Sequence, residues 1–374
     1  MNLEIEKGIL LKALTKVSVG VTNRNIIPVL NGILFDLSNK GLSLTATDND
    51  ITVKTFIPKE EIKEIINPGK IVIYGKYILD IVKKMPSDLI LIEETEGNKA
   101  IISGDKSKFN LNCLPLEDYP NIELTKNNNV AEIKDIDLKN MITETVFATS
   151  TQESRPALTG VNIIINDDIL ECTATDSYRL AKKIIKLNKP IKDPVNIIIS
   201  SKNIQELFKI LEGTDELLEL YFFENKVMVI LGNLYFQTSL LNGTFPNTNN
   251  SIASEFTTQI EVNLTDMINV IDRASILNQL KETPTIDFSI TDDKIYVSSY
   301  SVEIGKVEEI IEINKLKGSD LKISFSSKYM LDALKTFKSE KILMLFNGEI
   351  SPIIIREKLD GDLTQLILPI KTFI

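Results

Sequence analysis

The chain has 374 residues, 43% of them hydrophobic and 25% charged, an ordinary globular composition with the length of two or three domains. Its formal net charge of −10 excludes a surface uniformly attractive to nucleic acid, though not a locally basic face or an enclosed basic channel. Histidine is absent, which removes the commonest general base and metal ligand, and with them triads and most acid–base chemistry near pH 7.

The first residues, Met1-Asn2-Leu3-Glu4-Ile5-Glu6, carry acids where a secretory leader has a basic start, and no apolar run nears the roughly 18 residues of a membrane span. A cytoplasmic protein without membrane contact is expected. Across residues 8–18 the apolar side chains Ile9, Leu10, Ala13, Leu14 and Val17 recur at three and four, which predicts an amphipathic helix with Lys12 and Lys16 beside its stripe. Residues 28–36 and 42–56, rich in Val, Ile, Leu and Thr, predict strands around the turn Asn39-Lys40-Gly41. A short strand at 71–74, a helix at 76–84 stopped by Pro86, and two or three strands over 88–114 follow. The linker 121–130 contains Lys126-Asn127-Asn128-Asn129, after which 138–148 reads as helix and strands restart at Gly160. A second polar join at 247–254 precedes a helix at 264–277, strands near 285–313, a helix at 328–337 and strands to the end. Cys113 and Cys172 lack CxxC spacing and read as buried small apolar residues; no disulfide, metal site or cofactor is expected.

Helix, strands, helix, strands thus occurs three times, and local sequence supports a repeat. Thr-Ala-Thr-Asp stands at 45–48 and again at 173–176, each copy after a Pro-x-x-x-Gly segment, Pro28 to Gly32 and Pro156 to Gly160. The second helix of each unit aligns without gaps at positions 76, 202 and 328, steps of 126. Two lysines seven apart recur in all three: Lys76 and Lys83, Lys202 and Lys209, Lys328 and Lys335. Seven residues are two helical turns, so each pair shares a face, opposite apolar residues such as Met330, Leu334 and Phe337. An acid four residues after the first lysine (Asp80, Glu206, Asp332) is expected to temper the charge and hold that lysine. Surface helices carry lysine routinely, but three pairs in register suit a face that follows a regular polyanion, holding phosphates without reading sequence. The first helices of the units are less basic, with Lys139 set against Glu144, and Arg273 against Asp266 and Asp272.

Asp48 and Asp176 could suggest paired catalytic carboxylates, but they fall in different repeats and at turns, where Asp commonly bonds nearby backbone. No phosphate loop, dinucleotide fingerprint or nucleophile elbow is present, and no catalytic residue is expected. The last stretch, Leu366 to Ile374, reads either as a core strand or as an apolar strip offered to a partner.

Three repeats, the run Thr173 to Ala181 (Thr-Ala-Thr-Asp-Ser-Tyr-Arg-Leu-Ala), the turn Gly243-Thr244-Phe245-Pro246 and the ending Gln365 to Ile370 together resemble the bacterial sliding clamps, the beta subunits of DNA polymerase III. The resemblance spans the whole chain, and its motifs are specific as a set. It implies an α+β fold of three clamp domains, expected at 1–126, 127–253 and 254–374, with helices lining a ring interior and antiparallel sheets outside. Two chains would close head to tail around double-stranded DNA and tether the replicative polymerase without bond chemistry. The family's pocket takes short apolar, glutamine-containing peptides from polymerases, the clamp loader and repair proteins. By resemblance its lining falls on Leu158, Thr175, Ser177, Tyr178, Arg179, Leu180, Pro246, Ile367, Leu368, Pro369 and Ile370. Family DNA contacts fall on Arg24, Gln152 and Lys202, and the homodimer seam on Phe109 of one chain against Ile276 and Leu277 of the next. This chain departs from the pattern at Tyr178, a position often held by histidine; at Phe245-Pro246-Asn247-Thr248, which lacks the acid that often follows the proline; and in running on past Lys371. The reading that competes is a three-domain protein-interaction scaffold whose lysine faces are merely solvated; it predicts no salt-sensitive DNA contact.

Overall fold

The computed structural model describes residues 1–22, 25–278 and 284–371. Its element order follows one plan three times: a strand, a helix, three strands, a strand leading into a second helix, and three more strands, with an extra short strand in the first repeat (Glu64–Asn67) and in the third (Lys315–Lys317). The helices are α1 (Lys7–Val17), α2 (Gly75–Lys84), α3 (Asp135–Thr145), α4 (Ser201–Ile210), α5 (Leu264–Ser275) and α6 (Ser327–Leu334). The second helices begin at 75, 201 and 327, again steps of 126, so the repeat in sequence is a repeat in structure. The fold is α+β.

By compactness the chain forms two units: Met1–Leu138 with Asn188–Asp193 and Gln205–Leu240, and Lys139–Leu187 with Pro194–Ile204 and Leu241–Ile374. Strand pairing explains why there are two. In the first unit an eight-stranded sheet joins four strands of the middle repeat to four of the first, at Leu234–Ser239 against Ile51–Pro58 with Phe236 opposite Val53. In the second unit a nine-stranded sheet joins the remaining middle strands to the last repeat, at Arg179–Lys186 against Leu363–Ile367 with Leu180 opposite Leu366. The middle repeat is therefore shared, and α3 and α4 each contribute to both units.

The first unit also holds a five-stranded antiparallel sheet in the order Glu64–Asn67, Asn2–Glu6, Leu89–Thr95, Lys99–Gly104, Ser107–Asn112. Helix α1 buries Leu10, Ala13, Leu14 and Val17, the three-and-four stripe, and packs beside α2, which buries Gly75, Ile78 and Val82. Gly75 is fixed by crowding, because a Cβ there would stand 2.8 Å from the Val21 side chain. The second unit's four-stranded sheet runs Gly305–Glu312, Lys294–Ser301, Thr285–Thr291, Leu321–Ser326. Its core is aromatic at the centre, with Phe288 5.6 Å from Phe325 and 6.0 Å from Phe346, and α5 and α6 close it with Met267, Ile271, Met330 and Leu334. Asn263 caps α5 by accepting from the Asp266 amide, and Ser326 caps α6 by accepting from the Tyr329 amide.

Three expectations shift. The strand expected from residue 28 begins at Gly32, because Pro28–Asn31 forms a 3-10 turn that proline's fixed φ favours. Helix α6 ends at Leu334, not 337, with the Lys335 amide closing onto the Leu331 carbonyl. A strand precedes the first helix of every repeat, Asn2–Glu6, Val130–Lys134 and Thr258–Asn263, each too short and charged to stand out in sequence. No helix among the described residues is long and apolar enough to cross a membrane.

Candidate functional site

The six repeated lysines all lie exposed on α2, α4 and α6 or at the cap of α6, with their helices' apolar residues turned into the cores. The three pairs are not electrically equivalent. On α4, Lys209 Nζ sits 2.7 Å from both Glu206 carboxylate oxygens, so the acid holds the second lysine of its pair. On α6, the acid turns elsewhere: Asp332 pairs with Arg179 at 2.7 Å and leaves Lys328 and Lys335 without a counter-charge in their own helix. The expectation that each acid holds the first lysine is therefore corrected for these two helices; the partner is set by which cation reaches the carboxylate. Lys12 and Lys16 of α1 share Glu212 at 3.4 and 2.7 Å, and hydrogen bonding to Lys16 pulls the Glu212 carboxyl below its ordinary range. Arg273 forms a two-toothed pair with Glu309, 2.8 and 2.7 Å, and not with Asp266 or Asp272. Glu144 pairs with Lys183 at 3.0 Å, where burial, the largest influence, pushes its carboxyl up. Gln152 is exposed in the loop before Pro156, and Arg24 lies outside the described residues.

The duplicated Thr-Ala-Thr-Asp segment is a duplicated turn. Asp48 accepts from the amides of Asp50 and Ile51, and Asp176 accepts from those of Tyr178 and Arg179 at 2.9 and 3.0 Å. The threonine before each Asp, Thr47 or Thr175, bonds the carbonyl four residues on, and the residue after it is left-handed, Asn49 at φ 81° and Ser177 at φ 79°. Both acids are therefore turn-formers, as their sequence positions suggest.

In the second copy that turn carries a surface. Strand pairing sets Arg179 opposite Ile367, and the Leu368 amide donates to the Tyr178 carbonyl at 2.9 Å, so residues 178–180 and 366–368 lie side by side. The Arg155 guanidinium donates to Ser177 Oγ, and Gly243 lies against Ala157, which brings the 155–159 turn and the 243–246 loop alongside. Tyr178 is 60% exposed, Leu368 partly exposed, and Leu158, Thr175 and Leu180 are buried. Pro246 is exposed on its loop, and Pro369 and Ile370 are half-buried. Ile367 is 0% exposed, within the core; the last strand through Ile367 is core, and only residues from 368 onward are accessible. The Ile370 amide donates to Ser324, carrying the chain to the rim of a cavity of about 420 Å³ lined by Asp287, Lys322, Ser324, Ile350 and Ile370.

Arg179 lies in this segment with its side chain largely buried, and apart from Asp176 the residues that hold it were not visible in sequence. Its Nε reaches Asp176 at 3.1 Å, one terminal nitrogen reaches Asp332 at 2.7 Å, and the other donates to the Phe147 carbonyl at 2.7 Å. The guanidinium carbon lies 4.5 Å from the Tyr329 ring centre and 5.2 Å from that of Phe147.

Models of the three domains of the DNA polymerase III beta subunit match this chain end to end: the N-terminal domain over residues 1–123, the central domain over 132–247 and the C-terminal domain over 250–371. The chain belongs to the bacterial beta sliding clamps. It is 40% identical over 378 residues to the beta sliding clamp of Bacillus subtilis strain 168, and 36% over 377 to that of a Staphylococcus epidermidis strain, each covering all of both chains. The crystal structure of the DNA polymerase sliding clamp from Bacillus subtilis superposes with a TM-score of 0.95 at 39% identity, covering all of both chains. The DNA polymerase III beta chain of Streptococcus pneumoniae gives 0.94 at 31%, covering 99% of this chain and all of that one.

In the frame of the sliding clamps two sheet edges stand out. Ser107–Asn112 ends the five-stranded sheet and carries Phe109, 40% exposed. Gly305–Glu312 ends the four-stranded sheet of the other unit and exposes Ile310, while Ile276, 60% exposed, and the half-buried Leu277 follow α5 in that unit. Both strands leave one side of their backbone unpaired in these sheets.

Proposed function

We propose that this sliding clamp acts as a closed homodimer around double-stranded DNA, tethering the replicative polymerase by topology. Its three clamp domains are taken as 1–126, 127–253 and 254–374. In this reading Lys76, Lys83, Lys202, Lys209, Lys328 and Lys335 line the hole, Arg24 and Gln152 add to them, and all make loose phosphate contacts that carry no sequence information. The recurrence of exposed lysine pairs on α2, α4 and α6 at a constant step of 126 is the observation that carries it. Affinity per contact is low, so the ring slides, and the clamp makes or breaks no bond itself. Phe109 of one copy against Ile276 and Leu277 of the other forms the seam. The surface around Tyr178, Arg179, Pro246 and Leu368 to Ile370 receives short apolar, glutamine-containing peptides of polymerases, clamp loader and repair proteins in the cytoplasm.

Primer extension with loader and polymerase tests the reading. The unmodified protein lengthens product per binding event, and a variant with all six lysines changed to glutamate does not; unchanged product length in that variant rejects the lysine assignment. The peptide surface is tested by truncation after Ile367, which spares the core strand. Loss of peptide binding with cooperative thermal unfolding retained is expected, and retained binding rejects the surface.

A further inference from the structure

An arginine in a segment that borders a peptide-binding surface offers it a carboxylate receptor, because its planar fork matches two oxygens. Here the geometry points elsewhere. Each of the three guanidinium nitrogens of Arg179 already donates to a fixed acceptor, Asp176, Asp332 or the Phe147 carbonyl. Its side chain is only 10% exposed, and the rings of Tyr329 and Phe147 pack beside it. Two carboxylates against one guanidinium leave the cluster with one net negative charge. Asp176 is committed by its turn, since the same side chain also accepts from the amides of Tyr178 and Arg179. Asp332 has no such second duty among the bonds described; it projects from α6, is about a third exposed, and bonds Arg179 from 153 residues away.

We propose that Asp332 sets the charge preference of the peptide surface: by occupying Arg179 it stops the guanidinium from acting as a receptor for acidic residues, so that the surface selects on shape and amide hydrogen bonding. The inference rests on the peptide-surface reading above. It makes Asp332 a specificity-determining residue of that surface, although it lies on the lysine-bearing helix.

The test uses the full-length protein and a set of synthetic octapeptides with one glutamine and three leucine or phenylalanine residues, in which Asn is replaced by Asp at each interior polar position in turn. Affinities are read by fluorescence anisotropy. For the unmodified protein, no Asn-to-Asp exchange improves binding by more than about threefold, the weak effect of an exposed charge. In Asp332→Asn, at least one exchange improves binding by about tenfold relative to its Asn partner, and this gain shrinks as salt rises from 50 to 500 mM, since it is a charge effect. A tenfold preference for an acidic peptide already in the unmodified protein overturns the proposal, as do unchanged ratios in a folded Asp332→Asn protein. Should that variant fail to unfold cooperatively, Asp332→Ser is read in the same way, and a tenfold acidic preference in the unmodified protein still overturns the proposal. If no peptide binds the unmodified protein, the peptide-surface reading falls first and this inference with it; binding with unaltered ratios removes the inference alone.

Discussion

Inequality among the lysine pairs yields the sharpest prediction. Replacing Lys328 and Lys335 by Gln removes two exposed cations that no acid of their own helix neutralises. Replacing Lys202 and Lys209 removes one such cation and one already held by Glu206 at 2.7 Å. Each phosphate neutralised contributes about 0.9 to the slope of log affinity against log salt. In a ring of two chains each substitution is present twice, so the α6 double variant should lower that slope by about 3.6, and the α4 double variant by about 1.8. Between 50 and 200 mM salt, a fourfold change, the unmodified protein should lose about 150-fold more affinity than the α6 variant, but only about twelvefold more than the α4 variant. Anisotropy of a labelled blunt duplex titrated at four salt concentrations measures this directly. Equal slopes for the two variants would refute the reasoning, because sequence alone makes the pairs identical and only the ion-pair geometry separates them.

Three further outcomes follow from particular contacts. Gly318 is held at φ 122° where a Cβ would run into the Thr257 carbonyl, so Gly318→Ala should cost roughly 2 kcal/mol or more in urea unfolding, and an effect under about 0.5 would contradict that crowding. Phe109→Asp should leave stability within about 0.5 kcal/mol, since the ring is exposed, yet shift sedimentation from dimer toward monomer; a variant that stays dimeric removes Phe109 from the seam. Burial lifts the Cys113 thiol to about 11, with help from Glu94, and the Cys172 thiol to about 12, so neither should react with a disulfide reagent at pH 8 until the chain unfolds. The unfolded thiols ionise first, so this contribution is full below about pH 9 and stability declines as pH climbs from there; a flat profile over that range would contradict it.

Much of the architecture was legible because its signals are periodic. The Leu10, Ala13, Leu14 and Val17 stripe gave α1, and the step of 126 marked α2, α4 and α6 as the same element of three repeats. Thr-Ala-Thr-Asp was legible as a turn because Asp bonds backbone two and three residues on, a local event. What escaped was whatever depends on residues far apart in the chain. Nothing near position 179 announces Phe147, Tyr329 or Asp332, which strand pairing and helix packing bring to it. Asp332 was conspicuous in its helix, and helical spacing alone gave it to Lys328; a guanidinium on a facing strand competes better for the carboxylate than a flexible neighbour in the same helix. Glu212 was invisible as a partner of Lys12 and Lys16 for the same reason, lying about 200 residues from them. The split of the middle repeat between two sheets was likewise beyond sequence, since repeats imply three similar units and say nothing of which edges fuse.

Retention on DNA of defined topology tests the central claim most directly. The protein is loaded by its clamp loader onto a nicked circle, free protein is removed by gel filtration, and the circle is cut with a restriction enzyme. Encirclement predicts that the protein stays on the circle through the column and leaves once the DNA is linear. Protein that remains bound to the linear product would show ordinary surface binding, and the ring would be wrong.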